Sequence, residues 1–168
     1  ETGAQILSNP LPPEIRKIGS PGIAYGNEIM VGDEKQNPVA TNEEGEILVR
    51  GSNVMQGYLD RPEETAKTIT ANGWLRTGDL GRMDEDGFIF VTGRIKELII
   101  KGGENIAPRE IDEALLEHEA VLEAAAFPRA CKDYGQRVEA CVCLKKGRHV
   151  SENELREFCE GLIGAYKT

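Results

Sequence analysis

What most restricts the fold of this chain is its punctuation. Up to Gly93, short apolar runs alternate with clusters of Gly, Pro, Asp and Asn; beyond it, amphipathic helical patterns appear. Runs broken so often cannot grow into long helices, so the first part reads as β-rich. Asn9-Pro10-Leu11-Pro12-Pro13 and Gly19-Ser20-Pro21-Gly22 are connections. Strands are predicted at Glu28-Ile29-Met30-Val31, closed by Gly32-Asp33, and at Glu46-Ile47-Leu48-Val49-Arg50-Gly51 after the turn Glu43-Glu44-Gly45. Asp60-Arg61-Pro62-Glu63 predicts a helix start, with Asp60 as cap, Pro62 in the first turn and Glu63 closing a capping box. That helix runs through Thr65 to about Ile69 and breaks at Asn72-Gly73. Trp74 to Asp79 then leads into a hairpin, with Asp84-Glu85-Asp86-Gly87 as the turn and Phe88 to Val91 as the return strand.

After Gly93 a strand, Leu98-Ile99-Ile100, enters Lys101-Gly102-Gly103-Glu104-Asn105. A helix opening at Pro108 places Ile111, Ala114 and Leu115 on one face. Strands follow at Glu123 to Phe127 and Val138 to Leu144, the second alternating as a half-buried strand does. Ser151-Glu152-Asn153-Glu154 is a second capping box, and its helix turns Leu155, Phe158 and Leu162 inward. Strand, helix, strand, strand, helix makes a small α+β unit. The boundary is expected between Gly93 and Lys96, with residues 1–93 and 94–168 as the two parts.

The formal net charge is −9 over 168 residues. Nucleic-acid binding requires phosphates to be neutralised by Lys and Arg, so an acidic chain without a basic stripe argues against it. No stretch approaches the ~20 apolar residues of a membrane span. Cys131, Cys141, Cys143 and Cys159 lack the paired spacing of a zinc site and read as small apolar residues in a reducing compartment. His118 and His149 read as surface residues.

Five runs occur in order: Gly45-Glu46-Ile47-Leu48-Val49-Arg50-Gly51, Gly57-Tyr58-Leu59, Trp74-Leu75-Arg76-Thr77-Gly78-Asp79-Leu80, Gly93-Arg94-Ile95-Lys96-Glu97-Leu98-Ile99, and Gly102-Gly103-Glu104-Asn105-Ile106-Ala107-Pro108-Arg109-Glu110-Ile111. Together they resemble the later motifs of the adenylate-forming superfamily: acyl-CoA synthetases, peptide-synthetase adenylation domains and beetle luciferases. The resemblance covers nearly the whole chain. It implies an α+β chain, comprising the β-rich end of a large N-terminal adenylation domain and a small, truncated, mobile C-terminal domain. It also implies a reaction. ATP converts a small-molecule carboxylic acid into an acyl-adenylate with release of pyrophosphate, and the thiol of coenzyme A then displaces AMP. Holding the reactants and stabilising developing charge is the protein's share of that work.

The resemblance assigns roles residue by residue. Asp79 accepts the ribose hydroxyls of ATP or AMP, since a carboxylate takes both at once; Thr77-Gly78-Asp79 also reads as a polar turn ending a strand. Arg94 lies near ribose and phosphates, where a guanidinium fork suits oxyanions; it also reads as an exposed strand-end ion pair. Lys96 occupies the hinge about which the C-terminal domain rotates; it also reads as a solvated linker residue. Gly102 and Gly103 line the pantetheine tunnel of coenzyme A, Gly103 matching best; the same loop reads as an ordinary strand-to-helix turn. Glu1 resembles the last residue of an aromatic-Gly-x-Thr-Glu run whose Glu helps hold magnesium.

The family's phosphate loop and acid pocket would lie before Glu1, and its adenylation lysine beyond Thr168. No catalytic residue is therefore expected within the chain, both ends read as cuts, and the chain alone is expected to be inactive. The Gly102-Gly103-Glu104-Asn105-Ile106 run is closer to acyl-CoA synthetases than to peptide-synthetase domains, and Leu7-Ser8-Asn9-Pro10-Leu11-Pro12-Pro13 resembles the branch of oxalate-CoA ligases. Loading of a carrier-protein thiol and a non-catalytic nucleotide-binding module are the alternatives. The expected location is the cytoplasm or the peroxisome.

Overall fold

Apolar runs separated by tight turns pair with their sequence neighbours, because a short turn can join only antiparallel strands. The computed structural model describes residues 1–168 apart from Ala4 and Pro13, so the last residue of the Asn9 to Pro13 connection lies outside the described residues. It divides into two compact units, Glu1–Ile95 and Lys96–Thr168.

In the first unit, β1 (Leu7–Ser8) pairs with β2 (Ile23–Ala24). A four-stranded antiparallel meander follows, formed by β3 (Glu28–Gly32), β4 (Gly45–Arg50), β5 (Leu75–Met83) and β6 (Ile89–Arg94). The contiguous run Ile47-Leu48-Val49 explains why β4 is central, for all three residues are buried. Ile47 and Val49 pack with Val31 and Ile89. Alternation along the strand turns Leu48 to the other face. Burying a Leu of this kind stabilises by about 1.5–3 kcal/mol.

The hairpin turn stands where the sequence places it. Asp84 accepts the amides of Asp86 (3.0 Å) and Phe88 (2.9 Å), and Lys17 grips it from the preceding connection at 2.5 Å.

The helix α1 (Pro62–Thr68) forms, but without the expected cap. Asp60 sits at φ +56 inside a tight turn, and Arg61 takes the N-cap position with no side-chain bond. Thr65 ties the turn instead, accepting from the Tyr58 amide and donating to the Arg61 carbonyl, each at 2.9 Å.

The second unit orders its sheet β8-β7-β10-β9, from β7 (Ile99–Lys101), β8 (Glu104–Ile106), β9 (Val121–Cys131) and β10 (Gly135–Leu144). The helices α2 (Pro108–Leu116) and α3 (Glu152–Ile163) supply the rest of a core built from Ile99, Ile106, Ile111, Ala114, Leu115, Val121, Leu155 and Cys159. The Ser151 capping box is present, its hydroxyl accepting the Glu154 amide while Glu154 accepts the Ser151 amide at 2.8 Å.

Two sequence expectations change in this unit. Leu162 is exposed, because the face set by Leu155 continues through Cys159 to Ile163 at helical spacing. His118 is half-buried, where Nδ1 accepts the Ala120 amide (3.2 Å) and the ring meets Phe158 edge-on. Arg94 ends β6, and the division between the compact units falls between Ile95 and Lys96.

Among the described residues no helix is long and apolar enough to cross a membrane. The cysteines are free, with Cys159 buried and Cys141 and Cys143 exposed on β10.

Candidate functional site

The Thr77-Gly78-Asp79 run does not end a strand; it is a bulge within one. Glu46 pairs with Leu80 and Leu48 with Arg76, so Ile47 alone faces three residues of β5. Bulging removes ladder partners from the extra amides, and an unpaired buried amide is costly. Side chains replace those partners. The Gly78 amide donates to Glu46 Oε1 at 3.1 Å and the Asp79 amide to Thr77 Oγ1 at 3.0 Å, while Thr77 Oγ1 donates to the Ile47 carbonyl at 2.7 Å. Gly78 has φ +73, a conformation that costs a residue with a Cβ about 1–2 kcal/mol.

A second irregularity sits opposite. Gly81 pairs with Val91 but Leu80 with Gly93, so Thr92 is an extra residue in β6. That one-residue shift brings Arg94, rather than Gly93, across from Asp79. Arg94 Nε lies 2.8 Å from Asp79 Oδ1, with the Asp79 side chain 32% and that of Arg94 64% exposed. A pair this open contributes at most about 1 kcal/mol. Two bulges therefore converge on an accessible carboxylate–guanidinium pair whose value to stability is small.

Glu1 is held by the 50s segment: the Met55 amide donates to its carbonyl at 2.8 Å and the Tyr58 hydroxyl to its carboxylate. That bond holds the Tyr58 proton more tightly than usual. Among the described residues no three His, Cys, Asp or Glu converge as a metal cage. A magnesium ion here would take one carboxylate oxygen of Glu1 and complete its shell with waters and phosphate oxygens. That donor set fits its preference for hard, largely hydrated sites.

In the second unit, Gly102 and Gly103 do not lead from strand to helix. They are the two turn residues of a β-hairpin in which Lys101 pairs with Glu104. With φ +59 and +91 they suit the turn type that needs left-handed backbone twice. The turn is clasped on one side only. The Gly102 amide donates to the Tyr134 carbonyl at 2.9 Å, the Tyr166 hydroxyl donates to the Lys101 carbonyl, and Lys101 Nζ donates to the Tyr166 carbonyl. A Cβ at Gly102 would stand 2.8 Å from that hydroxyl, whereas nothing lies within 4 Å of the corresponding point at Gly103. Lys96 is exposed in a single 3-10 turn, Ile95–Glu97, at the division between the units.

The profile of the AMP-binding enzyme family matches residues 1–59, and that of the AMP-binding enzyme C-terminal domain matches residues 110–168. The chain belongs to the AMP-binding enzyme family. It is 48% identical over 168 residues to a sulfoacetate–CoA ligase of Cupriavidus necator, covering 100% of this chain and 33% of that protein. It is 39% identical to an oxalate–CoA ligase of Saccharomyces cerevisiae, covering 99% and 31%. Among solved structures it resembles the o-succinylbenzoate CoA synthetase of Bacillus subtilis in complex with its acyl-adenylate intermediate, at TM-score 0.80 and 38% identity over 90% of this chain and 31% of that one. The chain thus spans about a third of the length of the curated relatives it matches.

Of the residues singled out by sequence in this AMP-binding family member, the structure brings Asp79 and Arg94 together. It sets Glu1 against Tyr58 and puts Gly102 and Gly103 side by side in one turn. Sequence reasoning missed Glu46, Tyr58 and Tyr166. Of these, Tyr58 lay within the Gly57-Tyr58-Leu59 run, and Glu46 stood out as a carboxylate directly before a fully apolar run.

Proposed function

We propose that this chain is part of an ATP-dependent acid–CoA ligase, which adenylates a carboxylic acid and transfers the acyl group to coenzyme A. The observation that carries the reading is the Asp79–Arg94 pair, brought together by two bulges and open to solvent, where an ion pair adds little to stability. An ionised carboxylate can accept two vicinal hydroxyls at once, and a guanidinium beside it suits a neighbouring phosphate.

In this reading Asp79 binds the ribose of ATP or AMP and Arg94 orients toward ribose and phosphates. Glu1 helps hold magnesium, which when bound neutralises phosphate charge. Residues 1–93 are the β-rich end of the adenylation domain and residues 94–168 the smaller mobile one. Lys96 is the hinge between them, supported by its place in a short exposed turn where the two compact units divide. Gly102 and Gly103 offer bare backbone to the slender pantetheine arm of coenzyme A, and the open space around Gly103 supports that assignment. The substrate is a small carboxylic acid, the class of the sulfoacetate and oxalate that name the relatives. A reducing compartment such as the cytoplasm suits the free, exposed Cys141 and Cys143.

Acid-dependent ATP–pyrophosphate exchange by the full-length enzyme, with acyl-CoA release followed, tests the reading. Exchange and thioester formation with one acid from a panel including sulfoacetate and oxalate are expected. Exchange without free thioester would redirect the proposal to a carrier-protein thiol, and no exchange with any acid would overturn it. Asp79→Ala is expected to weaken AMP binding by about tenfold to a hundredfold, the range of one or two hydrogen bonds to a charged group.

A further inference from the structure

We infer that Glu46 is a positioning residue for the nucleotide site: its buried carboxylate holds the β5 bulge in the shape that aims Asp79. The inference rests on the ribose-binding role proposed above for Asp79.

Glu46 is 7% exposed, one of only two buried polar or charged side chains among the described residues. A carboxylate removed from water needs a partner at each oxygen. Both oxygens of Glu46 are occupied, and both sets of donors come from β5. Oε1 accepts the Gly78 amide at 3.1 Å; Oε2 accepts Arg76 Nε at 2.9 Å and the terminal guanidinium nitrogen Nη2 at 2.9 Å. Arg76 stands just before the bulge and Gly78 at its middle. The carboxylate therefore spans the first half of the bulge and fixes where the chain leaves the ladder and where it turns left-handed.

The second half is fixed by Thr77, which bonds the Asp79 amide and the Ile47 carbonyl. Without Glu46 the Gly78 amide has no acceptor, and the peptide before Asp79 is free to rotate. A bulge loosened in this way still permits the sheet, because Leu80 and Arg76 keep their partners on β4. What it loses is the direction of one side chain. Glu46 lies beneath the site and acts through Gly78, so its effect belongs to nucleotide affinity and not to coenzyme A.

The test measures AMP affinity by titration calorimetry, KM for ATP and for coenzyme A, and thermal stability. It uses the full-length enzyme and its Glu46→Ala, Glu46→Gln, Glu46→Asp and Asp79→Ala variants. Glu46→Ala is expected to weaken AMP binding and raise the ATP KM by about tenfold, the scale of one misdirected hydrogen bond to a charged group, with the coenzyme A KM within about twofold. Glu46→Gln keeps one oxygen for the Gly78 amide and is expected to recover affinity to within about threefold of the parent. If the alanine protein does not fold, Glu46→Asp decides. It keeps a negative charge for Arg76 but withdraws the carboxylate from Gly78 by one methylene, and weaker AMP binding is again expected. Lower thermal stability with unchanged AMP affinity, or equal losses for ATP and coenzyme A, would overturn the inference while leaving the Asp79 reading intact. If Asp79→Ala itself leaves AMP affinity unchanged, the ribose reading fails and this inference with it.

Discussion

The two units hold their glycine turns by opposite means. In the first, the Thr77-Gly78-Asp79 bulge is braced from beneath by a buried carboxylate and a hydroxyl, and the product is a directed side chain. In the second, the Gly102-Gly103 turn is held at the Gly102 amide by Tyr134 and at Lys101 by Tyr166, with open space at Gly103. What it presents is bare backbone. A site that must aim a charge needs partners for every amide it displaces. A site that only admits a thin ligand needs the absence of side chains. The same residue type, glycine at positive φ, serves both, so the glycines alone do not distinguish them.

The largest expected effect separates the two designs at Thr77. Thr77→Val removes the acceptor of the Asp79 amide and the donor to the Ile47 carbonyl, leaving two half-buried backbone groups unpaired. It is expected to cost about 2–3 kcal/mol, as two unmet hydrogen bonds do. Thr77→Ser keeps the hydroxyl and is expected to recover most of that. Denaturant unfolding of this chain measures both. If valine and serine unfold alike, the bulge is not braced by the hydroxyl.

At the other turn the prediction is an asymmetry between neighbours. Gly102→Ala meets the Tyr166 hydroxyl as well as an unfavourable φ, and is expected to cost about 2 kcal/mol. Gly103→Ala meets open space and bears only the backbone strain, about 1 kcal/mol. Equal losses would mean that the Tyr166 clasp contributes nothing, and Tyr166→Phe in the Gly102→Ala background would then also be silent.

How much of this was legible in the sequence follows from the range of the interactions. The Asp84 turn and the Ser151 capping box were readable because the backbone amides their side chains accept belong to residues no more than four apart. The apolar triplet at Ile47 announced a strand, and the structure shows all three of its residues buried. The Thr77-Gly78-Asp79 run carried its chemistry in plain view but hid its geometry. A bulge is defined by its partner strand, and Glu46 is more than 30 residues away from Asp79 in sequence. β8 was missed because three residues with only Ile106 buried give no alternation to read. The Asp60 cap failed because Tyr58 and Thr65 closed the turn first. Sequence reading named the polar residues of the candidate site and did not find what holds them.

The smallest expected effect turns the comparison into one of sign. Asp84, in the first unit, is held below the usual carboxylate range chiefly by the Lys17 ammonium, with backbone amides assisting. A depressed folded value means a contribution that is present above the ordinary carboxylate pKa and lost as pH falls through the folded one. Asp112, in the second unit, is pushed up mainly by burial, although it accepts the Ala126 amide at 2.6 Å. A raised folded value means the reverse: its contribution is intact below the ordinary carboxylate pKa and is lost as pH rises through the folded one. At neutral pH, Asp84→Asn is therefore expected to lower the melting temperature of this chain. Asp112→Asn, which keeps an oxygen for the Ala126 amide and sheds the desolvated charge, is expected to raise it slightly. Both differences from the parent should shrink toward zero as the pH is taken down through the carboxylate range, one from below and one from above. Melts across that range read the two signs directly. If both variants are destabilised at neutral pH, Asp112 is stabilised by its amide bond as an anion, and the contrast between a charge paired in one unit and a charge merely buried in the other does not hold.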